Sequence, residues 1–271
     1  MPYLPVACVA LVHGLSFFLP VGENMHVAVV TRLFGWPLQT LPLHLACHAG
    51  GVVALLLLLY RDVGQLARGA WQLASGRWRP EGGRFVALAL ALLPIGALRL
   101  TPLADYISSF GLGRVDYTAM TGLAMAALLW LADRYSLAIR RIEHLSPVDG
   151  IVLGIGQLVA FFPGVGLIPI SIVLARLLGF EREHAARISF LIALVAFSGE
   201  VLLSGSRLYR EGALAPAGEL AVSAAASLVA GLLAGSVFLE WLKRRSLVPF
   251  ALYRLLASAA VLLWWYFLFR G

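Results

Sequence analysis

Charged residues are scarce in this chain of 271 residues: they make up 13% of it, whereas 61% is hydrophobic. A soluble domain usually carries about 25% charged residues, so the mean hydropathy of +0.87 indicates a membrane protein. Alternation of apolar and polar residues, the pattern of membrane β-barrels, is lacking as well. The composition therefore predicts an all-α, polytopic membrane protein.

Cysteine and acidic residues are also few. Cys8 and Cys47 lie in apolar runs without C-x-x-C spacing, which predicts buried apolar side chains rather than a disulfide or a thiolate metal site. Basic residues outnumber acidic ones by 21 to 14, and most are arginines in short connecting segments. Such arginines typically set membrane orientation and contact anionic lipid. We therefore predict bilayer lipids as partners, no nucleic acid, and a cytoplasmic location for these loops.

Long apolar stretches are what the chain has in abundance. A helix of about 20 residues spans the roughly 30 Å of hydrocarbon in a bilayer. The clearest candidates are residues 44–60, 86–98, 118–132, 188–203, 220–239 and 249–269. They predict a multi-pass protein.

Two apolar segments, 13–26 and 157–171, are interrupted by proline and glycine at matching places 144 positions apart. The matching pairs are Phe17 and Phe161, Phe18 and Phe162, Gly22 and Gly166, Arg32 and Arg176, and Gly35 and Gly179. Paired interruptions of this kind indicate a midplane binding site. Because lipid cannot satisfy free backbone N–H and C=O groups, both segments should face the protein interior.

The repetition predicts one membrane domain over 1–271, with repeats over 1–134 and 148–271 and a polar linker over 133–149. An even number of spans per repeat would give parallel copies, and an odd number would give inverted copies. The residues alone leave this choice open.

Five motifs follow one another along the chain. They are GLSFFLP over 14–20 with His26 beyond it, HAGGVVA over 48–54, LPIG over 93–96, GIGQLVAFFPG over 154–164 and RSLVPFALYR over 245–254. In this order they resemble the bacterial undecaprenyl-diphosphate phosphatases, the bacitracin-resistance family, over nearly the whole chain. The resemblance implies two inverted repeats in the inner membrane, each with a re-entrant helical hairpin.

The same resemblance implies a function and its partners. The family hydrolyses the lipid diphosphate left by cell-wall polymerisation, at a site that opens to the periplasmic side. A polyprenyl (di)phosphate lipid is therefore the expected partner and a divalent cation the expected cofactor, while a homodimer is left open.

The residues that carry the family's chemistry are changed in this chain. His13 and Phe17 stand at the family's two glutamate positions, Glu23 replaces the second serine of a pair, and Leu167 replaces the arginine of the second motif. Only His26 is kept. Because loss of one preorganised donor typically costs about 3–4 kcal/mol of transition-state stabilisation, the resemblance supports the fold more strongly than the reaction.

The first broken segment contains polar residues that could replace those that are lost. We predict His13, Glu23 and His26 as catalytic, with Glu23 orienting His26 as a nucleophile or general acid/base. His44 and His48 lie four residues apart, hence on one helix face, and with His13 they predict a metal site. Imidazole ligands favour zinc or iron over magnesium or calcium. Alternatively, each histidine satisfies a backbone carbonyl freed by the broken helix.

The second half offers fewer polar groups. We predict that Gly164, Gly166, Ser171 and Arg254 bind substrate, since backbone N–H groups at a glycine-rich helix start can hold an anion. Arg254 could instead pair with Glu200, a carboxylate within an apolar segment that requires a partner.

Three functions therefore remain open from the sequence. The chain could be a divergent polyprenyl-diphosphate phosphatase that uses the His/Glu residues. It could be a non-catalytic protein of the same fold that binds or translocates a lipid phosphate, or a metal-binding membrane protein.

Overall fold

A computed structural model describes residues 3–36, 39–109 and 115–269, and within these ranges the chain folds into α-helices without a β-strand. The helices are α1 Tyr3–Phe18, α2 Glu23–Leu33, α3 Leu41–Leu58, α4 Tyr60–Ala74, α5 Pro80–Arg99, α6 Pro102–Ser109, α7 Val115–Tyr135, α8 Pro147–Gly156, α9 Leu167–Leu177, α10 Arg182–Arg210, α11 Ala217–Leu242 and α12 Val248–Phe269. Short 3-10 helices occupy Ile142–His144 and Gln157–Phe161.

Six of these helices are long and apolar enough to cross a membrane: α3, α5, α7, α10, α11 and α12. This confirms the predicted all-α, polytopic membrane protein. Three of the six precede the polar linker and three follow it. An odd number of spans in each half is the arrangement that gives inverted copies. The inverted orientation of the two repeats and the re-entrant course of the hairpins both stay predictions.

The two broken segments have the same local structure. Helices α2 and α9 begin and end 144 positions apart, at residues 23 and 167 and at residues 33 and 177. Each is preceded by a glycine with positive φ, Gly22 at 91° and Gly166 at 80°, and each is followed by another, Gly35 at 62° and Gly179 at 87°. Only glycine adopts these backbone angles without strain. The spacing seen in the sequence therefore corresponds to a repeated helix with matching ends.

Glycines on α1 and α3 permit a very close approach to α11. A Cβ atom on Gly14 would lie 2.6 Å from the carbonyl oxygen of Ser227, and one on Gly50 would lie 2.1 Å from that of Ala224. Small residues at helix contacts of this kind allow backbones to meet in membrane proteins. The contact brings His13, beside Gly14, next to α3 and the histidines it carries.

Ion pairs attach the polar linker to the helices. Asp133 is buried and accepts hydrogen bonds from Arg182 Nε at 2.6 Å and from the backbone N–H of Leu247 at 3.0 Å. Arg140 donates to both carboxylate oxygens of Asp149, at 2.9 and 2.6 Å. Because these bonds join helices from both halves, the linker is part of the packed structure.

Candidate functional site

Three histidines converge where α1 meets α3. The ring centroids of His13 and His44 are 5.1 Å apart, those of His13 and His48 are also 5.1 Å apart, and those of His44 and His48 are 4.3 Å apart. His13 has no exposed surface, and Glu23 approaches the rings from the first residue of α2. We call His13, Glu23, His44 and His48 the histidine cluster.

A polar chain connects this cluster with the second half. His48 Nε2 lies 3.6 Å from Glu23 Oε1, and His48 Nδ1 lies 3.3 Å from Glu200 Oε2. Arg99 Nη2 donates to Glu200 Oε1 at 3.0 Å. The partners of Glu200 are therefore His48 and Arg99 rather than Arg254. Sequence reasoning missed Arg99, whose only signal was a lone charge at the end of an apolar segment.

The arrangement can hold a metal ion. His13, Glu23 and His44 can each offer one ligand atom such that all three atoms lie within 4.8 Å of one another. Neither ring nitrogen of His13 has a hydrogen-bond partner among the described residues, so this histidine does not satisfy a freed carbonyl. Of the predicted metal ligands, the structure brings His13 and His44 together with Glu23 and places His48 beside them.

His26 lies in a second group, apart from the histidine cluster. Its Nδ1 is 2.7 Å from the carbonyl oxygen of Gly22, and its Nε2 is 2.8 Å from the hydroxyl of Tyr253. Because a carbonyl only accepts, the hydrogen-bond network assigns the proton of the neutral ring to Nδ1, and Nε2 accepts from Tyr253. The orientation of His26 is thus set by Gly22 and Tyr253, whereas Glu23 faces His48. Tyr253 had one signal in the sequence, its place beside Arg254 in the C-terminal motif.

Arg254 bridges the two broken segments. Its side chain is 1% exposed, and it donates to the carbonyl oxygens of Pro20 at 3.2 Å, of Val165 at 3.1 Å and of Gly164. No carboxylate pairs with it among the described residues, and its Nε has no partner there. A Cβ on Gly22 would lie 3.7 Å from the guanidinium carbon. The buried cation therefore sits between the two interruptions, with His26 bonded to the same glycine.

Two of the remaining predicted substrate ligands, Gly164 and Ser171, are engaged in packing. A Cβ on Gly164 would lie 2.2 Å from Thr121 Oγ1, so this glycine permits a close contact with α7. Ser171 is fully buried and donates to the carbonyl oxygen of Leu167 at 2.7 Å within its own helix. Gly166, with its positive φ, immediately precedes α9.

Comparison with known proteins gives one consistent family. The profile described as "Bacitracin resistance protein BacA" matches residues 6–260. The "Undecaprenyl-diphosphatase 1" of Rhodospirillum rubrum is 32% identical, over 97% of this chain and 95% of the relative. Proteins named "Undecaprenyl-diphosphatase" from Alcanivorax borkumensis and Geobacter sulfurreducens are 31% and 32% identical, each over 97% of this chain and over 99% and 98% of their own length.

Proposed function

Because the chain belongs to the bacitracin resistance protein BacA family, we propose that it hydrolyses undecaprenyl diphosphate, the substrate in its relatives' names. It is a multi-pass protein of the bacterial inner membrane. The observation that carries the proposal is the placement of Arg254, a buried cation with no carboxylate partner in the described part of the chain, between the two broken segments and next to His26. The chain thus keeps a guanidinium at the interruptions although Leu167 stands where the family has its arginine.

Arg254 is the proposed ligand of the diphosphate. A buried positive charge without a counter-ion is costly, and an anionic lipid head group would offset that cost. Nε of Arg254 is free to donate, and guanidinium–phosphate bonds are short and charge-assisted. Of the other predicted substrate ligands, Gly166 is retained for its backbone N–H at the start of α9. Gly164 and Ser171 are assigned to packing.

His26 is the proposed reactive group. With its proton on Nδ1, its Nε2 lone pair can attack the terminal phosphorus or take a proton from an attacking water. In either case the bond between that phosphorus and the bridging oxygen breaks, and the lipid monophosphate leaves. Where Nε2 is the nucleophile, water then breaks the new N–P bond and releases phosphate. Tyr253 donates to this nitrogen at 2.8 Å, so its hydroxyl must release Nε2 before the reaction.

The histidine cluster is proposed to hold the divalent cation that the family resemblance implies. The unpartnered nitrogens of buried His13 and the convergence with Glu23 and His44 fit an ion. When bound, the ion supplies positive charge that offsets the charge of the diphosphate. His13 and Glu23 are thereby assigned to the cation rather than to proton transfer.

Phosphate release from undecaprenyl diphosphate tests the function. The purified protein in detergent should release phosphate with one or more divalent cations, and His26→Ala should abolish the release. His144→Ala, at an exposed position of the linker, is the matched control and should keep it. The Rhodospirillum rubrum relative serves as a positive control for the assay.

Two outcomes would count against the proposal. If no metal supports release while the relative is active, the chain is not a phosphatase of this lipid. Binding of the lipid or its movement across vesicles without release would then favour the non-catalytic alternative.

A further inference from the structure

The donors of the histidine cluster come from three helices and differ from the oxygen-rich sets that hold hard cations. His13 lies on α1, Glu23 on α2 and His44 on α3. Calcium takes about 6–8 oxygen ligands and magnesium a near-octahedral oxygen shell, whereas two imidazoles and one carboxylate form a set that suits zinc and other borderline ions.

We infer that His13, Glu23 and His44 form a transition-metal site that selects a zinc-class ion over magnesium and calcium. This inference specifies the cation of the proposed function, and it depends on that function only for the role of the ion. Three protein ligands leave the fourth tetrahedral position open, as in zinc sites that bind water or substrate.

The donor atoms lie close to, but not yet at, the separations of a bound zinc ion. A zinc ion bonds nitrogen and oxygen at about 2.0–2.2 Å, so two ligand atoms on a tetrahedral ion lie about 3.4 Å apart. The three donor atoms already lie within 4.8 Å of one another. A closure of up to about 1.4 Å would therefore bring them onto one tetrahedral ion.

Outer groups orient the ligand set. His48 Nε2 faces Glu23 at 3.6 Å, while Glu200 approaches the other ring nitrogen of His48 at 3.3 Å. Arg99 in turn holds Glu200 at 3.0 Å. Ligating carboxylates in metal sites are usually held by such partners, so His48 is a positioning residue for Glu23.

Carboxylates beside the ligand set also attract a cation. Glu23 and Glu200 bring two carboxylates to the cluster and Arg99 brings one guanidinium. The rings of Phe17 and Phe197 flank His48, with centroids 5.6 and 4.4 Å from its own. Aromatic walls lower the local dielectric and strengthen the attraction between a bound cation and these carboxylates.

Metal content measured without substrate tests the inference. The full chain is purified with a tag other than polyhistidine, stripped with a chelator, and dialysed against equal concentrations of zinc, manganese, magnesium and calcium. Mass spectrometry of the elements should find about one zinc per chain, as expected for a single site. With cobalt(II) as the probe, visible absorption should show a tetrahedral ion.

Variants assign the ion to the cluster. His13→Ala, Glu23→Gln and His44→Ala should lose the zinc, and His48→Gln should weaken binding by about 10–100-fold. His144→Ala should bind zinc like the wild type. Circular dichroism and monodisperse elution check that each variant folds, and His44→Gln provides a smaller change if His44→Ala fails this check.

Several results would overturn the inference: no stoichiometric ion, magnesium or calcium bound in preference to zinc, or zinc retained by folded His13→Ala and His44→Gln. A zinc-loaded protein that releases no phosphate would refute the phosphatase proposal and leave the metal site standing. Phosphate release by a protein that never binds zinc would refute the zinc site and leave the phosphatase proposal standing.

Discussion

Replacement of Arg254 by methionine is the sharpest test of how the two broken segments are held together. Methionine has a similar length and fills irregular apolar space well, so the change removes the guanidinium with little loss of volume. What it leaves behind are the carbonyl oxygens of Pro20, Gly164 and Val165, all acceptors of Arg254 hydrogen bonds.

The expected magnitude follows from these acceptors. A buried polar group left without a partner costs about 1–3 kcal/mol, so three carbonyls cost several kcal/mol. Removal of a buried, unpaired charge offsets part of this loss, because burying an ion carries a penalty of several kcal/mol. The net effect should be a decrease of about 3 kcal/mol in the free energy of unfolding. Arg254→Lys keeps the positive charge but loses the planar set of guanidinium donors. Its free energy of unfolding should lie between those of Arg254→Met and the wild type.

Unfolding in mixed detergent–SDS micelles, followed by tryptophan fluorescence, measures this free energy. Arg244→Met, at an exposed position of the turn between α11 and α12, is the matched control and should change stability by less than about 0.5 kcal/mol. A short-chain polyprenyl diphosphate should stabilise the wild type but not Arg254→Met. If Arg254→Met were as stable as Arg244→Met and still responded to the lipid, both roles assigned to Arg254 would be wrong.

Three further substitutions address the other features. Tyr253→Phe removes the hydroxyl that donates to His26 Nε2 at 2.8 Å, so the pH profile of phosphate release should shift while stability changes by about 1 kcal/mol or less. Gly50→Ala places a methyl group 2.1 Å from a backbone oxygen of α11 and should lower the free energy of unfolding by about 1–3 kcal/mol. Asp133→Asn leaves buried Arg176 and partly exposed Arg182 without their carboxylate, and SDS unfolding should show a decrease of about 3 kcal/mol in the free energy of unfolding.

Each of these predictions has a control and a contrary outcome. Gly64 has open space where its Cβ would lie, so Gly64→Ala should be neutral or stabilising by about 0.5–1 kcal/mol; equal effects at Gly50 and Gly64 would refute the close contact. Glu143→Gln alters an exposed carboxylate of the linker and should not lower the free energy of unfolding as Asp133→Asn does. An unchanged pH profile in Tyr253→Phe would show that Tyr253 does not act on His26.

The fold was predictable because its signals are local. Long apolar runs identify the six candidate spans from composition, and the glycines at 22, 35, 166 and 179 identify the ends of α2 and α9 because each requires a positive φ. The extents of amphipathic α4 and of α6 were not predicted, since neither is apolar enough to stand out as a span. The close approach of α1 and α3 to α11 was also not predicted, because a glycine in a helix does not indicate which neighbouring backbone it contacts.

The site was predictable in its residue types but not in its grouping. Of the predicted metal ligands, His13 and His44 lie close to Glu23, which the sequence analysis had assigned to catalysis, and the metal site itself stays a prediction. His26 was expected beside Glu23, yet residues three apart on a short helix can face different neighbours, and Tyr253 holds His26 instead. His26 and Tyr253 are 227 positions apart, and short-range spacing in the sequence does not predict contacts between residues so distant. The same holds for Arg99 and Glu200.

The two broken segments differ chemically although their backbones repeat, and the contacts of the second explain what it contributes. Its interruption carries no ionisable side chain, but its carbonyl oxygens at Gly164 and Val165 hold Arg254 in place against Pro20 of the first. A guanidinium fixed by three carbonyls keeps its charge, since carbonyls accept hydrogen bonds without neutralising it. The second segment therefore supports a cation that pairs with no carboxylate of the described residues and lies beside His26. A carboxylate introduced there, as in Val165→Asp, should pair with Arg254 and abolish the stabilisation by the lipid diphosphate.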